Sequence, residues 1–239
     1  MAGAAGGDGL GAGAASTPIR PLAALPRPIG IVCGLAAERD ALAPLSEAGD
    51  IVIAVSGADP DRATRAAHRL LEAGCKSLMS CGYAGGLDPG MAPGDLFTAE
   101  SVVRADGERI ALQALPGLPV ATLFGSDTLI TSPDHKAMLH CASSAQAVDM
   151  ETHRVAAEGR AAGVPVAALR AICDGAGRAM PAFLDGVVRA DGRPRIGAVL
   201  YGLLANPGQI GALMAVARDE RTARQRLASF ANDASATRP

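Results

Sequence analysis

Short apolar runs alternate with longer charged and alanine-rich stretches along most of this chain. Runs such as IGIVC at 29–33 and IVIAV at 51–55 show no polar alternation, which is typical of strands covered on both faces. The stretches between them have helical length, and Pro60 and Pro133 stand where first turns begin. This alternation predicts an α/β fold in which helices pack on a largely buried sheet.

The length of 239 residues is suited to one large domain. Residues 1–28 are rich in glycine and alanine and then interrupted by prolines, with neither a phosphate-loop motif nor the basic start and continuous apolar core of a signal peptide. We therefore predict a disordered arm over 1–28, a single domain over 29–232 and a disordered tail over 233–239.

Charge and cysteine placement argue against several kinds of partner. The formal net charge is −2 and no basic cluster appears, so nucleic acid is not an expected partner. The five cysteines are scattered among apolar residues and the four histidines lack paired spacing, so no metal, haem or dithiol site is predicted. No cofactor motif is present either. This cysteine usage fits a reducing cytoplasm.

Residues 196–217, IGAVLYGLLANPGQIGALMAVA, contain no charged side chain and are long enough to cross a hydrocarbon core. The Asn-Pro-Gly-Gln sequence at 206–209 divides them into two short apolar pieces. This favours two helices that close the core. The alternative is a surface that docks an apolar substrate or a bilayer, with peripheral membrane association.

Three stretches place glycines or carboxylates directly after apolar strands, where open α/β sheets bind their ligands. IGIVCGLAAERDAL carries Glu38 in a first helical turn, where an acidic side chain is also ordinary helix design. SCGYAGGLDPGMAPGD carries Gly82 and Gly85, which let backbone N–H groups approach a ligand. AVDMETHRVAAEG and VPVAALRAICDGAG place Glu151 and Asp174 one strand-helix-strand step apart. All three stretches are expected to face one cleft.

The order of strand-GL-x-x-E, GxAGGL-x-x-G-x-x-x-GD, VDMET and RAICD resembles the purine nucleoside phosphorylase and nucleosidase superfamily. It is most similar to the methylthioadenosine/S-adenosylhomocysteine nucleosidase branch, roughly over residues 29–177. The resemblance implies a phosphorylase/hydrolase-like three-layer αβα sandwich around a mixed, mostly parallel, twisted sheet. It also implies a homo-oligomer that cleaves the N-glycosidic bond between a purine and a ribose.

The C-terminal sequence NPGQIGALMAVARDERTARQRL is similar instead to the hopanoid-associated phosphorylases. That similarity implies removal of adenine from adenosylhopane during hopanoid biosynthesis. It makes a small-molecule nucleoside linked to a lipid the expected substrate.

The resemblance implies the superfamily's catalytic roles for those residues of this chain that match its motifs. Asp174, in RAICD, resembles the general acid that protonates or hydrogen-bonds N7 of the purine. This role needs a partly desolvated site in which the acid keeps its proton. A helix cap is the alternative role for Asp174. Glu38 matches the acid that positions and deprotonates the attacking water. Glu151 resembles the carboxylate that accepts hydrogen bonds from the ribose hydroxyls, and Met150 the residue packed under the sugar.

The resemblance implies further substrate contacts from Tyr83, Ala84, Gly85, Leu129, Ile130 and Cys173. Leu129 and Ile130 would recognise the base through their main chain, with Phe124 as a stacking face. Core packing explains these three apolar side chains equally well. Cys173 stands where the superfamily usually has serine, and a small thiol fits the same space.

Departures from the superfamily pattern bear on the nucleophile. Tyr83 replaces the usual Ser or Thr, and the segment SGAD at 56–59 replaces SGxG, so binding of phosphate as a co-substrate is in doubt. Arg39, Arg62 and Arg65 are the nearest phosphate partners, but each also suits a solvated helix face. Glu38 favours hydrolysis, although the sequence leaves both hydrolysis and phosphorolysis open.

The hypothesis from sequence is therefore release of adenine from an adenosine with a large apolar 5′-substituent. A methylthioadenosine/S-adenosylhomocysteine nucleosidase is the alternative enzyme. A non-catalytic nucleoside-binding protein and a membrane-attached scaffold that uses residues 196–217 are the alternatives of other classes. Retention of Glu38, Glu151 and Asp174 favours an enzyme.

Overall fold

The computed structural model describes residues 21–184 and 186–236. Within this part, strands and α-helices alternate as the sequence predicts: β1 Ile29–Cys33, α1 Ala36–Leu42, β2 Ile51–Val55, α2 Pro60–Glu72, β3 Ser77–Gly86, β4 Leu96–Val103, β5 Arg109–Ala111, β6 Val120–Gly125, α3 Pro133–Ser143, β7 Ala147–Asp149, α4 Thr152–Ala162, β8 Val166–Asp174, α5 Ile196–Ala205 and α6 Ile210–Ala236. Asp59 and Ser132 cap α2 and α3 by accepting hydrogen bonds from the main chain of their first turns.

The strands form one mixed sheet in the order β2-β1-β3-β7-β6-β4-β5, and β8 pairs with both β3 and β4. Strands β3, β7, β6, β4 and β8 therefore close into a ring. The pairings of β1 with β2 and β3, of β3 with β8, and of β6 with β4 and β7 are parallel. The pairings β3–β7, β4–β5 and β4–β8 are antiparallel. The predicted mixed, mostly parallel sheet is confirmed.

Helices cover both faces of the sheet. Because successive strand side chains point to opposite faces, Ile31 of β1 packs in one cluster with Leu42 of α1 and Leu227 of α6. The next residue, Val32, packs on the other face in a cluster with Val155 of α4. The predicted three-layer αβα sandwich is confirmed. The parallel strands β1, β3 and β8 end at the same edge, and the chain segments after them form the site described below.

The domain is longer than predicted at both ends. Pro21–Ala24 form a short 3-10 helix, and Leu22 and Leu25 are buried in the cluster that α1 and α6 share. Residues 21–28 thus belong to the fold, not to a disordered arm, because two leucines bury enough apolar surface to hold a segment whose composition suggests disorder. The predicted arm over 1–20 lies outside the described residues.

The C-terminal boundary at residue 232 is also wrong. Helix α6 continues to Ala236, and Ala234 packs in the same cluster as Leu227. Alanine-rich composition hid this last turn, since small side chains allow close packing without a strong hydrophobic signal. Residues 237–239 lie outside the described part.

Residues 196–217 form two helices, as predicted, but they do not close the core. Tyr201 and Leu204 of α5 are 75% and 83% exposed, and Met214 of α6 is 64% exposed. Burial in α6 begins only at Ala223. Among the described residues no single helix is long and apolar enough to span a bilayer. Helices α5 and α6 reach that length and apolarity only when taken together, and the pair is bent by 113°. The apolar side chains of this segment are therefore exposed, and a docking role for them stays a prediction.

Candidate active site

A cavity of about 360 Å³ lies beyond the carboxyl ends of β1, β3 and β8. All of the predicted site residues line it: Glu38, Tyr83, Ala84, Gly85, Leu129, Ile130, Met150, Glu151, Cys173 and Asp174. Carboxylates that are distant in sequence therefore converge on one space. The placement of these residues agrees with the sequence analysis, while the role of each stays a prediction.

Glu38 joins two elements of the site. Its Oε2 accepts a hydrogen bond from the Leu35 N–H (2.8 Å), which is the ordinary role of an acid in a first helical turn. Its Oε1 accepts from the Tyr83 N–H (2.7 Å) on β3. Burial raises the pKa of Glu38, although Arg170 and the main-chain donors oppose that shift. A carboxylate with a raised pKa is a better proton acceptor from water near neutral pH.

Glu151 lies directly before α4 and is buried. Burial raises its pKa to about 8; Arg170 opposes this shift, and the carboxylates of Asp149 and Glu38 add to it. The empty site thus favours the neutral form of Glu151. Ribose hydroxyls that donate to this side chain would favour the charged form instead, because a hydrogen bond to a carboxylate stabilises its charge.

Asp174 ends β8 and is paired with a cation that the sequence analysis missed. The ammonium of Lys136, on α3, donates to Oδ2 of Asp174 and to the carbonyl of Gly175 (2.9 Å). The thiol of Cys173 donates to Oδ1 (3.2 Å). The helix-cap alternative for Asp174 is wrong, since no helix begins directly after it. The sequence analysis expected desolvation to keep a proton on this acid, and it did not foresee the buried ammonium that lies against it.

The glycines of the motifs make room for carboxylates. A Cβ on Gly34 would lie 2.7 Å from Oε1 of Glu151. A Cβ on Gly82 would lie 2.5 Å from Oε1 of Glu38 and 2.7 Å from Nη1 of Arg170. Real Cβ atoms do not come this close to other heavy atoms. We expected Gly82 to let main-chain N–H groups reach a ligand, whereas the structure shows that Gly34 and Gly82 let buried acids approach the sheet.

Arg170 lies beneath the carboxylates and is fully buried in β8. Its Nη2 donates to Oδ2 of Asp149 and to Oγ1 of Thr152 (2.9 Å), and it lies 3.6 Å from Oε2 of Glu151. Burial alone would lower the pKa of Arg170, but the carboxylates of Asp149, Glu151 and Glu38 outweigh this and raise it. The signal for this residue was available, because an arginine inside an apolar strand must find buried partners.

The sequence analysis also missed that the C-terminal part of the chain forms one wall of the cavity. The Tyr83 hydroxyl donates to Oε1 of Glu220 (3.1 Å) on α6. Burial raises the pKa of Tyr83, with Glu38 and Glu220 adding to the shift, so the hydroxyl remains a donor. The apolar part of this wall consists of Met180, Leu184, Val187, Val188, Pro194 and Val216. All of these residues except Tyr83 follow RAICD, and the sequence analysis assigned none of them to the site.

Other predicted contacts are not brought to the cavity. Phe124 packs in a cluster with Leu87 and Val148 and does not line the cavity, so the stacking alternative is wrong. Arg62 donates to the carbonyls of Ser56 (2.6 Å) and Gly57 (2.9 Å).

Arg39 pairs with its neighbour Asp40 (2.7 Å), and Arg65 is exposed. Neither of them, nor Arg62, lines the cavity. A role for these arginines in binding phosphate at this site is therefore wrong.

Comparison with known proteins agrees with this geometry. Residues 36–122 match the family model described as "Phosphorylase superfamily". A futalosine hydrolase from Helicobacter pylori is 19% identical, with a TM-score of 0.64 over 86% of this chain and 96% of that one. A 5′-methylthioadenosine/S-adenosylhomocysteine nucleosidase from Neisseria meningitidis, in complex with methylthio-immucillin-A, is 17% identical, with a TM-score of 0.64 over 86% and 97%. No curated protein matches the sequence.

The chain has the fold of the phosphorylase superfamily. The resemblance drawn from the four motifs agrees with the match of residues 36–122 to the superfamily's model and with the shared fold. The family model covers α1 to the start of β6, and the structural likeness extends over most of the chain. The hopanoid-associated subgroup, which the C-terminal sequence suggested, stays a prediction.

We expect Gly34→Ala to disable the site without unfolding the protein. The new methyl group must displace the carboxylate of Glu151, and a displacement of about 1 Å in a reacting group can cost about 100-fold in rate. Nucleoside cleavage and thermal unfolding should be measured on the same samples. Gly177→Ala is the control, because a Cβ there meets no atom within 4 Å. Equal activity of the two variants would contradict this account of Gly34.

The pKa of Glu151 predicts how stability depends on pH. Because the pKa rises from 4.5 in a free side chain to about 8, the folded state holds a proton that the unfolded state releases. The stabilisation is complete below the unfolded pKa and is lost as pH rises through the folded one. We expect the unfolding midpoint of the ligand-free protein to fall between about pH 4.5 and pH 8.

Glu151→Gln should reduce this slope, since glutamine does not titrate. Glu100→Gln, at an exposed position on β4, is the matched control and should leave the slope unchanged. Unfolding followed by circular dichroism at several pH values measures both variants. A slope in Glu151→Gln as steep as in the unaltered protein would show that Glu151 does not cause it.

Proposed function

We propose that this protein is an enzyme that releases adenine from a 5′-substituted adenosine by cleaving the N-glycosidic bond. The convergence of Glu38, Glu151 and Asp174 around one cavity carries this proposal. Cleavage of this bond needs a group beside the base, a group at the sugar hydroxyls and an activated nucleophile. One carboxylate is available for each of these tasks.

The chemistry follows the logic of glycoside hydrolysis, with an oxocarbenium-like sugar in the transition state. The bond from C1′ to N9 breaks, its electron pair leaves with the purine, N7 takes up a proton from solvent, and Asp174 accepts the hydrogen bond of the new N7–H. Glu151 accepts hydrogen bonds from the ribose hydroxyls, and its negative charge interacts more strongly as positive charge grows on the sugar. A water molecule attacks C1′ and gives its proton to Glu38.

Water fits this site better than phosphate does. The cavity is lined by Glu38, Asp149, Glu151, Asp174 and Glu220. No arginine or lysine among the described residues lines this cavity, although proteins usually bind phosphate with arginine, lysine or main-chain N–H groups. Hydrolysis is therefore the reaction that we propose, with no cofactor.

An apolar 5′-substituent suits the wall built from the C-terminal part of the chain. Met180, Leu184, Val187, Val188, Pro194 and Val216 line the cavity beside the carboxylates. Helix α5 begins shortly after Pro194 in the chain and carries further exposed apolar side chains. Adenosylhopane, as the hopanoid-associated resemblance implies, is the substrate that we propose. Methylthioadenosine is the second candidate, because structural neighbours include methylthioadenosine/S-adenosylhomocysteine nucleosidases.

One incubation series tests reaction and substrate together. The protein is mixed with adenosylhopane or with methylthioadenosine, with and without phosphate, and mass spectrometry identifies both products. We expect adenine and a free ribose derivative from adenosylhopane, independent of phosphate. A ribose 1-phosphate product would replace water by phosphate as the nucleophile, and faster turnover of methylthioadenosine would favour the second substrate.

Asp174→Asn is the variant for this assay. Loss of the carboxylate that accepts from the protonated N7 should reduce adenine release by about 100- to 10,000-fold while circular dichroism stays native, the usual range for a lost group that assists proton transfer. Gly177→Ala again serves as the control. An Asp174→Asn variant with most of its activity would disprove the role given to Asp174, and no adenine from any adenosine derivative would favour a non-catalytic binding protein.

We further propose that α5 and the start of α6 touch the membrane surface peripherally. The exposed apolar side chains here are Ile196, Leu200, Tyr201, Leu204, Ile210 and Met214. Arg189 and Arg195 adjoin Ile196 in one shallow surface depression. Apolar side chains beside arginines suit the interface of an anionic bilayer.

We expect the protein to sediment with phosphatidylglycerol vesicles and Leu204→Glu to weaken this binding. A charge in place of an apolar side chain opposes insertion at the interface. Met138→Glu is the matched control, because Met138 is also exposed on a helix but far from α5 in sequence. Protein that stays in the supernatant, or equal loss in both variants, would contradict membrane contact through α5.

A further inference from the structure

Lys136 is a buried cation that the proposed reaction leaves without a role. Its side chain is 1% exposed, whereas the chain's other lysine, Lys76, is exposed. Its ammonium donates to Asp174 and to the Gly175 carbonyl, and Lys136 itself does not line the cavity. Lys136 can therefore act on a bound molecule only through Asp174.

The position of Lys136 is set by α3. The Ser132 hydroxyl caps this helix through the His135 N–H (3.0 Å), and Pro133 occupies its first turn. Lys136 is the buried residue of α3, so the helix holds one inward side chain against the loop after β8.

Burying an ion pair in the interior of a protein has a high cost in free energy. Removing both charges from water is costly, and apolar residues of similar volume often stabilise a protein as well or better. The lysine is therefore better explained by what it does to the carboxylate at the cavity than by stability.

The charge on Asp174 determines which base it can recognise. A carboxylate accepts hydrogen bonds only, whereas a carboxylic acid also donates one. Adenine presents an exocyclic amine, a donor, beside N7, while a 6-oxopurine presents a carbonyl acceptor there. A carboxylate paired with the Lys136 ammonium therefore matches the amine of adenine, whereas in a 6-oxopurine it faces another acceptor, the carbonyl.

We propose that Lys136 is a positioning residue that makes this site select a 6-aminopurine over a 6-oxopurine by keeping Asp174 an acceptor. This inference rests on the proposed function, which places the base against Asp174. The mismatch leaves buried acceptors unpaired, and such a loss costs about 1–3 kcal/mol, or about 5- to 150-fold in affinity.

Binding of free adenine and hypoxanthine tests the inference without turnover. Isothermal titration calorimetry on the full protein should show adenine bound about 5- to 150-fold more tightly. Lys136→Met should remove most of this preference, because Asp174 can then take up a proton and donate to the carbonyl of hypoxanthine. Lys136→Arg should keep the preference, since the charge remains. Lys76→Met removes the other lysine and should leave the ratio unchanged.

A purely structural role would weaken both bases alike and leave their ratio intact. Lys136→Gln, which keeps hydrogen-bond donors without the charge, is the second variant if Lys136→Met does not fold, and it should also lose the preference. An unchanged ratio in the folded variants, equal binding of both bases, or binding of neither base overturns the inference. Selective adenine binding without any nucleoside cleavage would overturn the proposed enzyme activity and leave the role of Lys136 standing.

Discussion

The site depends on one guanidinium that balances several acids. Glu38, Glu151 and Asp149 come from different elements, and each is buried near Arg170. Without this cation, such a group of carboxylates would repel one another and draw in water or protons. Because β8 carries Arg170 inside the sheet and Asp174 at its end, the same strand supplies the counter-charge and the acid proposed to face the base.

The closed ring of strands explains how the acids come so near to the sheet. β8 bridges β3 and β4, so Gly85 and Asp174 lie side by side in register. Glycines at 34 and 82 then remove the side chains that would otherwise occupy the space of the carboxylates. Sheet topology, small residues and buried charge thus form one arrangement, in which a change to any part displaces an acid.

Much of this arrangement was readable from the sequence because it follows local patterns. The strand cores, the caps at Asp59 and Ser132 and the positions of the acids after strands all depend on residues close together in the chain. The partners of those acids did not follow such patterns. Lys136 and Glu220 reach the site from helices whose orientation only the tertiary packing determines, and the burial of Leu22 and Leu25 depends on contacts with distant elements. The exposure of α5 was missed for the same reason, because the sequence of an apolar helix does not show whether other elements pack over it.

The first turns of helix α6 and its later turns lie in different environments. Its first turns present Met214 to the surroundings, and about two turns later Glu220 holds the hydroxyl of Tyr83 in the cavity. Val216, between them, forms part of the cavity wall. Because one helix carries both the exposed apolar side chains and part of the cavity wall, a rigid shift of α6 would move the two together.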